Sequence, residues 1–143
     1  MVTNHSLEAA APGALRAIIE AARAAAYPVA VAIVDSHGNL IAAQRSEGCR
    51  PRWMRASLRK SYTAAVMDRD TDNFHDEIVR RAISLVDYGD PMFTSLPGGL
   101  VVTAPSGETI AGIGVTGPTK GRDEEFARVG IPILVAAASG EAN

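Results

Sequence analysis

Cysteine, aromatic residues, charge of one sign and long apolar runs are all scarce in this chain of 143 residues. Cys49 stands alone, which excludes an intrachain disulfide and a multi-cysteine metal site and favours a reducing compartment. The three histidines, His5, His37 and His75, are far apart and form no pair at metal-ligand spacing. A formal charge of -2 leaves no basic field for the counterion release that drives nucleic-acid binding. No run approaches the roughly 18 apolar residues of a membrane span, and Met1 to Glu8 lacks a basic stretch followed by an apolar one. A cytoplasmic protein without nucleic-acid or membrane partners is therefore expected. No serine sits in a nucleophile elbow and Cys49 has no histidine near it in sequence, so covalent catalysis finds no support.

What is present suffices for one self-supporting core. Hydrophobic residues make up 47% and charged residues 21%, the balance of a globular chain, and no linker or repeat divides residues 1–143. Leu15, Ile18, Ile19 and Ala22 recur at helical spacing between Leu7 and Ala26. Pro12 and Gly13 place the start of the regular helix near themselves, and Tyr27-Pro28 ends it. Val29–Val34 and Asn39–Gln44 flank the turn Asp35-Ser-His-Gly38, which reads as a hairpin. Pro51 opens a helix reaching about Met67, and Thr71 is placed to cap a shorter one, Asp72 to Ser84. Asp87 to Gly98 reads as a long loop of functional interest. Leu100–Thr103 and Thr109–Val115 flank Pro105-Ser-Gly107 as a second hairpin. A last helix begins near Arg122 and is disturbed by Gly130 and Pro132. The expected class is α+β.

Lys60 is the most informative position. At about 100° per residue, Arg52, Arg55 and Arg59 gather on one side of their helix, the side facing water. Lys60 falls opposite, in line with Trp53, Ala56, Ala64 and Met67, and so points inward. A buried ammonium needs a carboxylate, a carbonyl or an anionic ligand, or its pKa falls. An internal ion pair, a stem that snorkels past the helix edge, and a ligand contact all satisfy that demand. Arg45, leaving the second strand just before Glu47, is expected to approach the same region, where a lysine and a guanidinium together suit a carboxylate unless Glu47 neutralises one of them. His75, beside Asp76, is a candidate proton shuttle or iron ligand, or a plain surface histidine.

The run Gly112-Ile-Gly-Val-Thr-Gly117 matches a dinucleotide fingerprint by letter only. Its first glycines fall inside a strand, Pro118 and Lys120 delay the helix, and no βαβ unit surrounds it. Gly112 and Gly114 instead let another backbone or a flat ligand approach the strand. The loop from Thr116 through Gly117 to Gly121 offers free amides at the start of the last helix. An anion can take them, or Asp123 can satisfy them from within the chain.

Taken in order, Val-Asp35-Ser-His-Gly38 with Arg45 downstream, Lys60-Ser-Tyr-Thr63-Ala-Ala, Leu96-Pro-Gly-Gly99, Gly112-Ile-Gly-Val-Thr-Gly117 and Asp123-Glu124 carry a resemblance. From about Leu7 to Val129 the chain resembles the GlcG/HbpS haem-binding-like family, which includes the C-terminal domain of PduO-type proteins. The resemblance implies a profilin-like layered fold, an antiparallel sheet of two hairpins between helices, and assembly into homo-oligomers. It maps the family's recurrent arginine, lysine and Pro-Gly-Gly positions onto Arg45, Lys60 and Pro97-Gly98-Gly99. It implies a small-molecule ligand, with haem one candidate cofactor; His75 as axial ligand comes from the reading of the residues alone, since Phe74-His-Asp-Glu77 and Arg80-Arg81 depart from the family's usual sequence. Arg45-Ser-Glu-Gly-Cys49 departs from the family's Arg-Met-Asp-Gly-Ala, which widens the ligand class to other planar anionic metabolites. Two further readings stand beside that one. A cofactor-free isomerase or lyase would use Lys60 to polarise a carboxylate or ketone metabolite, with Glu47 or His75 as proton partner. A structural subunit would use the glycines and Leu96-Pro-Gly-Gly99 as an interface.

Overall fold

The computed structural model describes residues 4–118 and 121–140, with side chains from Ser6 onward. Thr119 and Lys120, in the loop expected to offer amides, lie outside the described residues, as does the side chain of His5. In chain order the elements are helix α1 (Asn4–Ala24), strands β1 (Ala30–Asp35) and β2 (Leu40–Arg45), helices α2 (Pro51–Val66) and α3 (Thr71–Arg81), a 3-10 turn (Leu85–Tyr88), and strands β3 (Gly99–Thr103) and β4 (Thr109–Thr116). Helix α4 (Asp123–Ala127), a second 3-10 turn (Arg128–Gly130) and helix α5 (Ile131–Ala138) follow. The four strands form one antiparallel sheet in the order β2-β1-β4-β3. Two hairpins are thus joined through their inner strands, with Ala30 opposite Thr116 and Asp35 opposite Ala111. Among the described residues, no helix is long and apolar enough to cross a membrane.

Helices cover both faces, so β1 is buried at all six positions and β4 at seven of eight, the continuous apolar pattern of doubly covered strands. The faces differ in side-chain size. Val31, Ile33, Leu100, Val102, Ile113 and Val115 pack with Leu15, Ile18, Ala22 and Leu134 of α1 and α5 in the main core. The opposite face is small, because α2 lies so close to it. A Cβ at Gly114 would fall well inside contact distance of the Ser57 carbonyl, and one at Gly112 would meet the Ser61 carbonyl. Ser57 donates to the Ala30 carbonyl at 2.7 Å, bonding helix to sheet directly.

Helix α1 runs unbroken through Pro12, where the sequence suggests a late start. Pro12 and Gly13 lie on its exposed side, while Leu7, Ala11, Ala14 and Ile18 keep one buried stripe on both sides of the proline. Burial of that stripe outweighs the lost backbone bond and the clash of the proline ring with the preceding turn, together about 3 kcal/mol. Thr71 does not cap α3 from outside. It is the first helical residue, Asp70 is the N-cap, and the Thr71 hydroxyl accepts the Gly99 amide at 3.0 Å. Helix α3 stops at Arg81, where Ala82 turns left-handed (φ 52°). Ser84, expected as the end of that helix, instead caps the 3-10 turn that leads into the expected loop, accepting from the Val86 amide at 3.2 Å. Arg59 also differs from expectation: Arg52 and Arg55 face water, but Arg59 is half-buried and donates to the Phe93 carbonyl at 2.7 Å.

Gly114→Ala is expected to destabilise the protein by at least about 2 kcal/mol, because the intruded atom is backbone and cannot rotate away. Gly13→Ala, with nothing within 4 Å of the added carbon, is expected to be neutral or stabilising by up to about 1 kcal/mol. Chemical denaturation of the two variants measures the contrast; similar midpoints would refute the close-approach account.

Candidate functional site

The inward lysine is the floor of the site. Lys60 is only 2% exposed. Its Nζ donates to the Val115 carbonyl at 2.9 Å and to Asp123 Oδ2 at 3.1 Å. Burial pulls the Lys60 pKa below the ordinary lysine value, and the Asp123 charge and hydrogen bond oppose that pull. Asp123, the first residue of α4, also accepts the Gly117 amide at 3.0 Å and the Tyr27 hydroxyl at 2.8 Å on Oδ1. One carboxylate therefore ties α2, the end of β4, the α1–β1 connection and α4 together. Of the sequence's alternatives for Lys60 the structure holds the internal ion pair, and Asp123 satisfies a loop amide as well.

The strap Leu96-Pro-Gly-Gly99 passes over the lysine head. Gly98 sits at φ 113°, where side chains are disfavoured, and a Cβ there would lie 2.9 Å from Lys60 Nζ and 2.6 Å from the Val115 oxygen. A Cβ at Gly99 would lie 2.5 Å from the Lys60 carbonyl. These glycines serve packing within the chain. Gly117 does the same against the Tyr27 ring. Thr116 is 9% exposed, with its hydroxyl 2.8 Å from Ser57 Oγ.

Helix α3 forms the facing wall. Its start is pinned to β3, with Asp70 accepting the Val101 amide at 2.9 Å and Thr71 holding Gly99. Its underside is held by Phe74, which packs edge-on against Tyr88 and Phe93 at 5.3 and 6.0 Å between ring centroids. The outer face then presents Asp72 and, one helical turn on, the adjacent His75 and Asp76. Between this face, the strap and the Lys60–Asp123 pair lies a cavity of about 500 Å³, to which the long loop contributes Ser95, Leu96 and Pro97. Asp72 and Asp76 were not among the site residues expected from the sequence, although their spacing about His75 is the signal that would have found them.

The structure unites Lys60, His75 and Pro97 and keeps Arg45 and Glu47 apart from them. Glu47 lines a separate cavity of about 420 Å³ with Tyr27, Ser46 and Gly48. Arg45 is exposed at the end of β2 and acts on Cys49, whose thiol burial pushes up and Arg45 draws back down. The expected meeting of Arg45 with Lys60 fails for a topological reason. β1 stands between β2 and β4, so Arg45 is two strand spacings, about 10 Å, from the strand that holds Lys60. Among the described residues, no group of three His, Cys, Asp or Glu side chains is placed to hold a metal ion.

Residues 7–132 match the family described as haem-degrading protein HbpS-like. Protein GlcG of Escherichia coli (strain K12) is 31% identical over 90 residues, which are 63% of this chain and 65% of GlcG, a little under two thirds of that relative's length. The crystal structure of a double mutant of Streptomyces reticuli HbpS is similar with a TM-score of 0.79 at 34% identity, over 89% of this chain and 85% of the other. The crystal structure of a PduOC:heme complex has a TM-score of 0.76 at 24% identity, over 92% and 94% of the two chains, a likeness of fold. The layered α+β architecture implied by the sequence resemblance is the observed one.

Asp123→Ala strands the Lys60 charge in a dry site with one carbonyl, and is expected to cost about 3 kcal/mol or more. Lys60→Met leaves Asp123 with its amide and hydroxyl donors and is expected to cost clearly less; urea unfolding decides the order, and equal losses would contradict it. The Asp70 carboxyl is pushed up chiefly by burial, so it holds its proton to higher pH folded than unfolded. Its contribution is therefore fully present below the unfolded value and lost as pH rises through the folded one. Asp70→Asn keeps the acceptor for Val101, and its advantage over the parent should appear as pH rises above the carboxylate range. Given the partial exposure of Asp70 the gain is less than about 1 kcal/mol, and thermal melts across pH 3 to 7, a range on the order of the carboxylate titration, measure it.

Proposed function

The chain belongs to the HbpS-like family, and from that premise we propose that it is a small-molecule-binding protein whose ligand, haem or another flat metabolite, seats in the cavity beside α3. The carrying observation is an exposed imidazole on the wall of a ligand-sized cavity: His75 stands there with Leu96 and Pro97 also on the lining. A volume of about 500 Å³ falls within the range of small-molecule sites. Leu96 is 54% exposed, an apolar side chain left in water at the site where a flat ring would cover it.

The residues present fit haem in part. A neutral imidazole is an iron ligand, and Leu96 and Pro97 supply apolar contact for a ring. Bound haem would supply iron chemistry, while this chain would hold and orient the ring and limit access of water. The anchoring of acid groups differs from the pattern expected of Lys60 with Arg45. The Lys60 charge is matched by Asp123, and Asp72 and Asp76 add negative charge, so the acid groups of a ligand point outward to solvent.

Titration of the purified protein with hemin is expected to give a saturable Soret shift. His75→Ala should weaken binding at least ten-fold, about 1.4 kcal/mol, and change the spectrum of whatever remains. Absence of a saturable shift would overturn haem as the ligand, and an unchanged spectrum in His75→Ala would remove that residue from the iron.

A further inference from the structure

The cavity beside α3 is charged in one sense. Asp72, Asp76 and Asp123 line it, and among the described residues Lys60 is the one ammonium on the lining. That ammonium is committed: its side chain is 3% exposed, and two of its three protons go to Asp123 and the Val115 carbonyl. The pair is internally neutral, which leaves Asp72 and Asp76 as the further acidic charges on the lining. Among the described residues neither is in an ion pair. The same field reaches Glu124, in the first turn of α4. Its carboxyl is pushed up by burial and then by the charges of Asp72 and Asp123, with Arg128 and Lys60 offsetting part of the effect.

We infer that this cavity sorts flat ligands by charge, accepting one whose inward face is cationic or carries a positive centre and rejecting one whose inward face is anionic. The inference rests on the reading of this cavity as the ligand site and specifies the class of molecule it takes. Apolar contact with Leu96 and Pro97 is indifferent to charge, so discrimination comes from the α3 carboxylates. Their exposure makes it a screened, salt-dependent effect. A tetrapyrrole obeying this rule turns its metal centre toward the carboxylates and its own acid groups toward water.

Two flat three-ring dyes of opposite charge test the rule on the full chain: proflavine, a cation at neutral pH, and anthracene carboxylate, an anion. Fluorescence titration at low salt should show the cation binding at least about ten-fold more tightly, with the ratio shrinking as salt is raised. The double variant Asp72→Asn with Asp76→Asn should bring the two within about three-fold, whereas Glu108→Gln, in the exposed β3–β4 turn, should leave the ratio unchanged. Equal binding of the dyes by the parent overturns the inference. So does a ratio that the double variant leaves intact, or one that Glu108→Gln reduces as much. Failure of both dyes to bind overturns it too, while hemin titration decides separately whether this is a haem site.

Discussion

Helix α2 lies against β4 at a distance that only glycine permits, and most of the structure depends on that approach. With Gly112 and Gly114 beneath them, the carbonyls of Ser57 and Ser61 reach the sheet, and the helical turn between them carries Lys60 into a space closed to water. An ammonium held there without a partner would cost several kcal/mol. The Asp123 carboxylate and the Val115 carbonyl answer that demand. Asp123 in turn draws in Gly117 and Tyr27, so one buried charge organises the end of the sheet, the start of α4 and the close of α1. The energetic asymmetry is marked: the carboxylate has other donors, whereas the lysine has one other acceptor.

The same packing decides what the site can offer. Because the lysine is neutralised from within, it forms the floor of the cavity and is no open anchor for an anion. The variable chemistry moves to α3, which the Asp70 and Thr71 bonds to β3 and the Phe74 ring contacts set at a fixed distance. Its outer face then presents two carboxylates around an imidazole. The proposed orientation of a flat ligand, acid groups outside and positive or metal centre inside, rests on Coulomb attraction to those carboxylates together with the apolar contribution of Leu96 and Pro97.

The inward direction of Lys60 is legible because helical periodicity is a local rule, and α2 obeys it from Trp53 to Ala65. The hairpins are legible for the same reason, through β-branched runs and the Asp35 turn, whose carboxylate accepts the amides of His37 and Asn39 at 2.9 and 3.0 Å. Arg45 is the instructive failure. Its exit from the sheet where the helix of Lys60 begins suggested nearness in space, but the inner strand β1 intervenes. Pro12 is a second, since its local preference against helix is overruled by a buried stripe that only packing against the sheet makes worthwhile. The glycines are a third kind: a close neighbour is predictable from the sequence, but the neighbour is a helix backbone and no ligand is needed to explain them.

By itself the sequence determined the α+β class, the two hairpins, the helix that turns Lys60 inward and the family, because each rests on local periodicity, turn chemistry or ordered motifs. Only the tertiary structure decided that Lys60 pairs with Asp123, 63 positions away, that Arg45 and Glu47 stand outside the cavity, and that Asp72 and Asp76 stand within it. Those facts depend on strand order and on which helix face meets the strap, and such distances are set by packing between elements far apart in the chain.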